Sequence, residues 1–205
     1  MSATQLHDFF AVLALLAISF AILLVLARLI PAVASVRFLD LVWKVNLPFA
    51  AVIASTATLG SLYWSEVYEP HWIPCRFCWF QRIFMYSTAV ILVIAAIRRD
   101  RGIKWYAGPL AAIGIALSTW HHLIERRIIE ESATCAASGT SCAAPYDVSF
   151  GSMKYNINGD FVVTGLPITL AVMAFCAFAA ILALLFLPEP LDTSLDSPPD
   201  TDIQE

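Results

Sequence analysis

"IPCRFCWFQR" (73–82) sets two cysteines three apart and an arginine four residues beyond the second, and Ile83–Ile97 then runs without a charge. A run of that character reads as a helix entering hydrocarbon, so reactive side chains stand where water gives way to lipid. Composition agrees. Of 205 residues, 60% are hydrophobic and 14% charged, and mean hydropathy is +0.75. A soluble domain holds about half apolar and about a quarter charged residues, so this chain reads as an integral membrane protein. Its net charge of −4 is small, and no basic run points to nucleic acid.

A spanning helix needs about 20 apolar residues. Five segments qualify: Phe9–Ala27, Asn46–Trp64, Cys78–Ile97, Tyr106–Ile124 and Leu166–Leu187. The first lacks lysine or arginine ahead of it and is too long for a signal peptide, so it reads as a retained span. Arg28, Arg37 and Lys44 follow span one, and Arg98, Arg99, Arg101 and Lys104 fill the turn after span three. Positive charge marks both loops as cytoplasmic. The N-terminus is then outside, the C-terminus inside, and loops 65–77 and 125–165 face the exported side, with Arg76, Arg126, Arg127 and Lys154 running against the bias. The expected fold is all-α: a four-helix transmembrane bundle over 46–187, with an extra N-terminal span and cytoplasmic loop over 1–45. The acidic, proline-rich tail 188–205 is expected to be disordered. Asn158-Gly159 in "YNINGDFVV" (155–163) signals a short hairpin on the outer surface.

The cysteines are Cys75, Cys78, Cys135, Cys142 and Cys176. Pairs on the outer face of a membrane read as disulfides, and pairs in the cytosol as metal or redox sites. If helix begins near Cys75, then Cys75, Cys78 and Arg82 share one face, with Met85 a turn deeper. A cation or a helix N-terminus lowers a cysteine pKa. Arg82 could stabilise a thiolate at Cys78, a developing anion on a bound acceptor, or both; the plainer alternative is an arginine that snorkels to head groups. The pair itself is either catalytic or a structural disulfide, and its conjunction with Arg82 at a membrane lip suits electron exchange with a lipid-soluble carrier.

"CAASGTSC" (135–142) closes a loop of small residues, expected to be mobile and accessible. It is either a disulfide meant to be attacked or a loop staple. With both pairs on one side of the membrane, electrons can pass between them through a mixed disulfide. The second spacing does not suit a four-cysteine zinc site, and no metal is expected. His121 and His122 end the fourth span in "STWHHLIERR" (118–127). One of them should reach the layer of Cys78 and Arg82, to donate to a quinone oxygen or relay its protons, unless it is an interfacial residue beside Trp120. Cys176 reads as a small buried hydrophobe, and His71, Trp72 and Trp79 as interface residues.

"PCRFCWFQRIFMY" (74–86), "WHHLIE" (120–125), the paired-cysteine loop and "TGLPITL" (164–170) together resemble the disulfide bond formation protein B family, especially its Gram-positive-type members, over roughly 46–187. The resemblance, rather than the residues taken singly, implies the reaction. It implies a four-helix bundle in the bacterial cytoplasmic membrane that oxidises a DsbA-like, thioredoxin-fold partner on the exported side and reduces a membrane-embedded quinone, either ubiquinone or menaquinone. Carried over by position, Cys135 forms the mixed disulfide with the partner and Cys142 is its mate. Cys75 takes up the electrons. Cys78 stands against the quinone as transient thiolate or adduct, Arg82 holds the quinone or its anion, and His121 matches the family histidine better than His122.

The vitamin K epoxide reductase family runs its pairs in the opposite order, which disfavours a thiol-driven quinone reductase of that kind. A scaffold with two inert disulfides is the alternative from another class. Three departures from the pattern stand out: loop cysteines only seven apart, which leaves open the one attacked first; Phe80 after Trp79 in place of tyrosine; and the first span and acidic tail, outside the pattern altogether.

Overall fold

The computed structural model describes residues 3–30, 32–68, 73–132, 135, 140–145, 148–155 and 161–189. Five α-helices are described: α1 (Ala3–Leu29), α2 (Val33–Leu62), α3 (Arg76–Arg98), α4 (Lys104–Glu125) and α5 (Leu170–Leu185). α1, α2 and α3 are each long and apolar enough to cross a membrane unaided. α5 has 16 residues, about 24 Å of helix, and begins after a strand, so the expected span from Leu166 is shortened at its start. The molecule is a multi-pass, all-helical membrane bundle.

The connection expected after the first span is itself helical. α2 starts at Val33, because Leu39 and Val42 find buried seats. Arg37, Asp40 and Lys44 had lowered the hydropathy of that stretch without removing its helical character. α2 then runs through Pro48, and a π-helical turn, Tyr63–Tyr68, extends it. Asn46 lies two residues before the proline, and its Nδ2 donates to the Leu184 carbonyl at 3.2 Å and ties α2 to α5.

The helices alternate in direction. At one end Arg101 stacks on Trp43, 4.1 Å from its ring centre, and Arg28 donates to the Phe186 carbonyl. At the other end stand Cys75, His121 and Glu125. Between them α2 packs on α3, α4 on α5, α3 on α4, and α1 against α5 and α2. Lipid tails are as apolar as leucine, so such helices associate by close packing of small residues. Ala50, Ala54, Ala107, Ala111 and Ile181 are fully buried in this core. A Cβ at Gly114 would overlap the ring of Phe178, which is fully buried on α5.

Above the cysteine end, β1 (Ser149–Tyr155) pairs antiparallel with β2 (Phe161–Ile168), from Ser149↔Ile168 to Tyr155↔Phe161. The strands are those a hairpin at Asn158-Gly159 requires; the turn residues lie outside the described residues, as do His71, Trp72 and the tail from residue 190.

Candidate active site

α3 begins at the first cysteine of its motif. Cys75 is the N-cap, in extended conformation, and its Sγ accepts the Cys78 backbone N–H at 3.3 Å. A helix N-terminus leaves amide N–H groups pointing outward, so the cap position is where an anion is favoured. The two sulfurs lie 2.8 Å apart as a dithiol. Cys75 lies one residue outside the spanning helix, and its pKa is lowered from 9.0 to about 5. The hydrogen bond with Cys78 is the largest cause; burial opposes it, and His121 and the Cys78 N–H add to it.

His121 Nε2 stands 3.6 Å from Cys75 Sγ. Three groups orient the imidazole: Gln81 Nε2 lies 3.4 Å from Nδ1, Phe77 stacks on the ring at 5.6 Å, and Glu125 Oε1 lies 3.9 Å from Nε2. Glu125 is buried one helical turn beyond His121. It accepts the Thr169 hydroxyl at 2.7 Å and lies 3.2 Å from His122 Nδ1. His121 is thus the histidine at the sulfurs, while His122 turns away to the carboxylate. Cys75, Cys78 and His121 place their ligand atoms within 4.8 Å of one another. Two thiolates on one tetrahedral zinc at about 2.3 Å each would sit about 3.8 Å apart, so the closer pair suits a sulfur–sulfur bond better than a metal.

Cys135 and Cys142 form a disulfide. The expectation of an accessible loop is corrected: both cysteines are 1% exposed. They pack in one cluster with Cys75 and Ile124, flanked by Phe77 and Cys78. Glu131 holds the second cysteine in place, accepting the Cys142 N–H at 2.5 Å and the Ser141 hydroxyl at 2.6 Å. The absence of a large residue between the cysteines had suggested exposure; the apolar anchors come instead from α3 and α4.

Arg82 is on the other side of the dithiol. It is 8% exposed, so it does not snorkel to the head groups. Its guanidinium donates to the Ser61 carbonyl at 3.5 Å and lies 5.5 Å from the Trp79 ring centre. Cys78, Arg82 and Met85 line a cavity of about 580 Å³, with Gln81 and Ser61 beside them. A second, small cleft of about 70 Å³ is lined by Cys75, Cys78, His121, Glu125 and Ser141. Cys78 borders both. Gln81, Glu125, Glu131, Thr169 and Ser61 were not singled out from the sequence. Only Glu125 carried a signal there, its spacing of four from His121.

Residues 44–188 match the family described as Disulfide bond formation protein DsbB. The chain belongs to that family. It is 39% identical over 144 residues to a probable disulfide formation protein of Deinococcus radiodurans, covering 70% of this chain and 88% of the relative. It is 40% identical over 100 residues to the disulfide bond formation protein C of Bacillus subtilis, covering 49% of this chain and 71% of the relative. No solved structure matches. Membership makes the protein a thiol–disulfide oxidoreductase of disulfide bond formation, and the matched region holds all four paired cysteines, Arg82 and His121.

Proposed function

We propose that the protein oxidises the dithiol of a DsbA-like, thioredoxin-fold partner and delivers the electrons to a membrane quinone. The observation that carries this reading is the position of the Cys75–Cys78 pair, packed with the loop disulfide and, through Cys78, bordering the 580 Å³ cavity. The partner's thiolate attacks Cys135 or Cys142, and the loop thiols then reduce the Cys75–Cys78 disulfide by exchange. A stabilised thiolate at Cys75 makes the reduced helix pair the lower sink, while the Glu131 carboxylate beside the loop pair disfavours a thiolate there. Both effects drive electrons from loop to helix. His121, held by Gln81 and Glu125, stands where it can take or return the proton at Cys75.

The cavity residues fit a quinone. The volume lies within the usual range for small-molecule sites, polar groups gather where Cys78, Gln81 and Arg82 meet it, and most of the remaining lining is apolar. Bound there, the quinone supplies a two-electron, two-proton sink. Arg82 would hold its oxygen and Cys78 would face its ring. Basic residues Arg28, Arg98, Arg99, Arg101 and Lys104 gather at the end away from the cysteines. That supports a bacterial cytoplasmic membrane with the cysteines on the exported side and the C-terminus inside.

The test is quinone reduction followed by absorbance, using purified protein and a reduced thioredoxin-fold partner. Wild type should turn over and Cys78→Ala should not. If wild type reduces neither ubiquinone nor menaquinone, the quinone reading fails.

A further inference from the structure

The cavity beside Cys78 and Arg82 has a wall from outside the region that carries the family. On α1, His7, Phe10, Leu13, Ala14, Ala17 and Phe20 line it, spaced three and four apart along one face. The seat of that helix is built into α2: a Cβ at Gly60 would overlap the Phe10 ring. Phe9, Val12, Ile22 and Leu23 are by contrast largely exposed, as lipid-facing residues are. His7 is the polar residue of the stripe and only 1% exposed. Its Nδ1 lies 2.7 Å from Ser149 Oγ, whose own hydroxyl donates to Asp8 Oδ1 at 2.6 Å. Because that hydroxyl proton is committed to Asp8, Ser149 accepts from His7. His7 Nδ1 is thus the donor that ties α1 to the start of β1. Trp64, another cavity residue, meets the ring edge-on at 6.0 Å.

We propose that α1 is a wall of the quinone site, where Ala14 and Ala17 leave room for the apolar tail. The inference rests on the quinone reading above and extends it to a helix outside the matched residues 44–188. Closing the Cys75–Cys78 disulfide releases two electrons and two protons, which convert a quinone to its hydroquinone.

Binding tests this without turnover. A decyl-substituted benzoquinone is titrated into the full-length protein and tryptophan fluorescence is followed. The saturable quench is assigned to Trp64 by its loss in Trp64→Phe. Ala17→Phe should weaken binding about tenfold or more, and the milder Ala17→Leu by less, since each fills the tail space. Leu15→Phe places the same side chain on α1 outside the cavity lining and should bind as wild type. One-turnover oxidation of the partner by the resident loop disulfide reports that each variant is folded. Wild-type affinity in both folded Ala17 variants overturns the α1 wall and leaves the quinone reading intact. No saturable binding by wild type overturns the quinone reading and this inference with it.

Discussion

The two cysteine pairs share one buried cluster and are built on opposite principles. Cys75 and Cys78 are three apart at a helix start, so the backbone itself brings their sulfurs together and offers N–H groups to a negative charge. Cys135 and Cys142 are seven apart and joined by a disulfide, and the group that holds Cys142 is a carboxylate, Glu131, which accepts its amide and carries charge of the same sign as a thiolate. One environment welcomes the reduced form, and the other resists it. A gradient for electrons can thus be made from local backbone geometry and one acidic side chain, without any difference in the sulfur chemistry.

Breaking the pair at the helix should have the largest effect. Cys75→Ser should cut partner-driven quinone reduction by more than about 1000-fold, because groups that act as a unit fail together. The loop disulfide should still react once with the partner, as mass spectrometry of trapped thiols would show. Turnover that persists in this variant would mean that the loop pair passes electrons onward alone.

Acid should separate the pairs next. With the Cys75 pKa lowered to about 5, its alkylation by iodoacetamide in the reduced protein should stay near its plateau from pH 9 down to about 6 and fall below about 5. The sign for stability follows: a depressed pKa stabilises the reduced fold fully above the ordinary thiol value of 9.0, and that contribution is lost as pH falls through about 5. An alkylation rate that declines from pH 9 onward would show that the N-cap does not hold a thiolate. Glu131→Gln keeps an acceptor for the Cys142 amide and removes the charge. It should shift the loop pair's redox equilibrium toward the dithiol by about tenfold, measured against a glutathione series. An unshifted equilibrium would remove Glu131 from the comparison. The smallest change is Gln81→Ala, which deletes one hydrogen bond to His121 and should cost about 1 kcal/mol, a few-fold in turnover; a loss comparable to that of Cys75→Ser would give Gln81 a direct part in the chemistry.

Much of this was legible in the sequence for physical reasons. Runs such as Ile83–Ile97 announce spans by composition alone, and the three- and four-residue spacings of Cys75, Cys78 and Arg82 become neighbours once a helix is assumed. Helix over Val33–Lys44 was hidden because Arg37, Asp40 and Lys44 read as loop on a hydropathy scale that knows nothing of which face is buried. Burial of Cys135 and Cys142 was hidden because their cover comes from Phe77 and Ile124, far away along the chain. The acceptor cavity was half visible: Arg82 pointed to it, but its α1 wall is an assembly of phenylalanine, leucine and alanine that any spanning helix might contain.

The contact between Gly114 and Phe178 has a consequence well above its own level in the bundle. An aromatic ring lodged where only a hydrogen atom fits works as a dowel between two smooth rods, fixing how far one stands along the other. Glu125 on α4 lies eleven residues from Gly114, about 16 Å of helix, and Thr169 on its α5 side meets that carboxylate at 2.7 Å. Slippage by a single turn, about 5.4 Å, would part them and release the carboxylate that steadies His121. The alignment of Glu125 with Thr169 and His121 at one end of the bundle is thereby gauged by a missing methyl group eleven residues away.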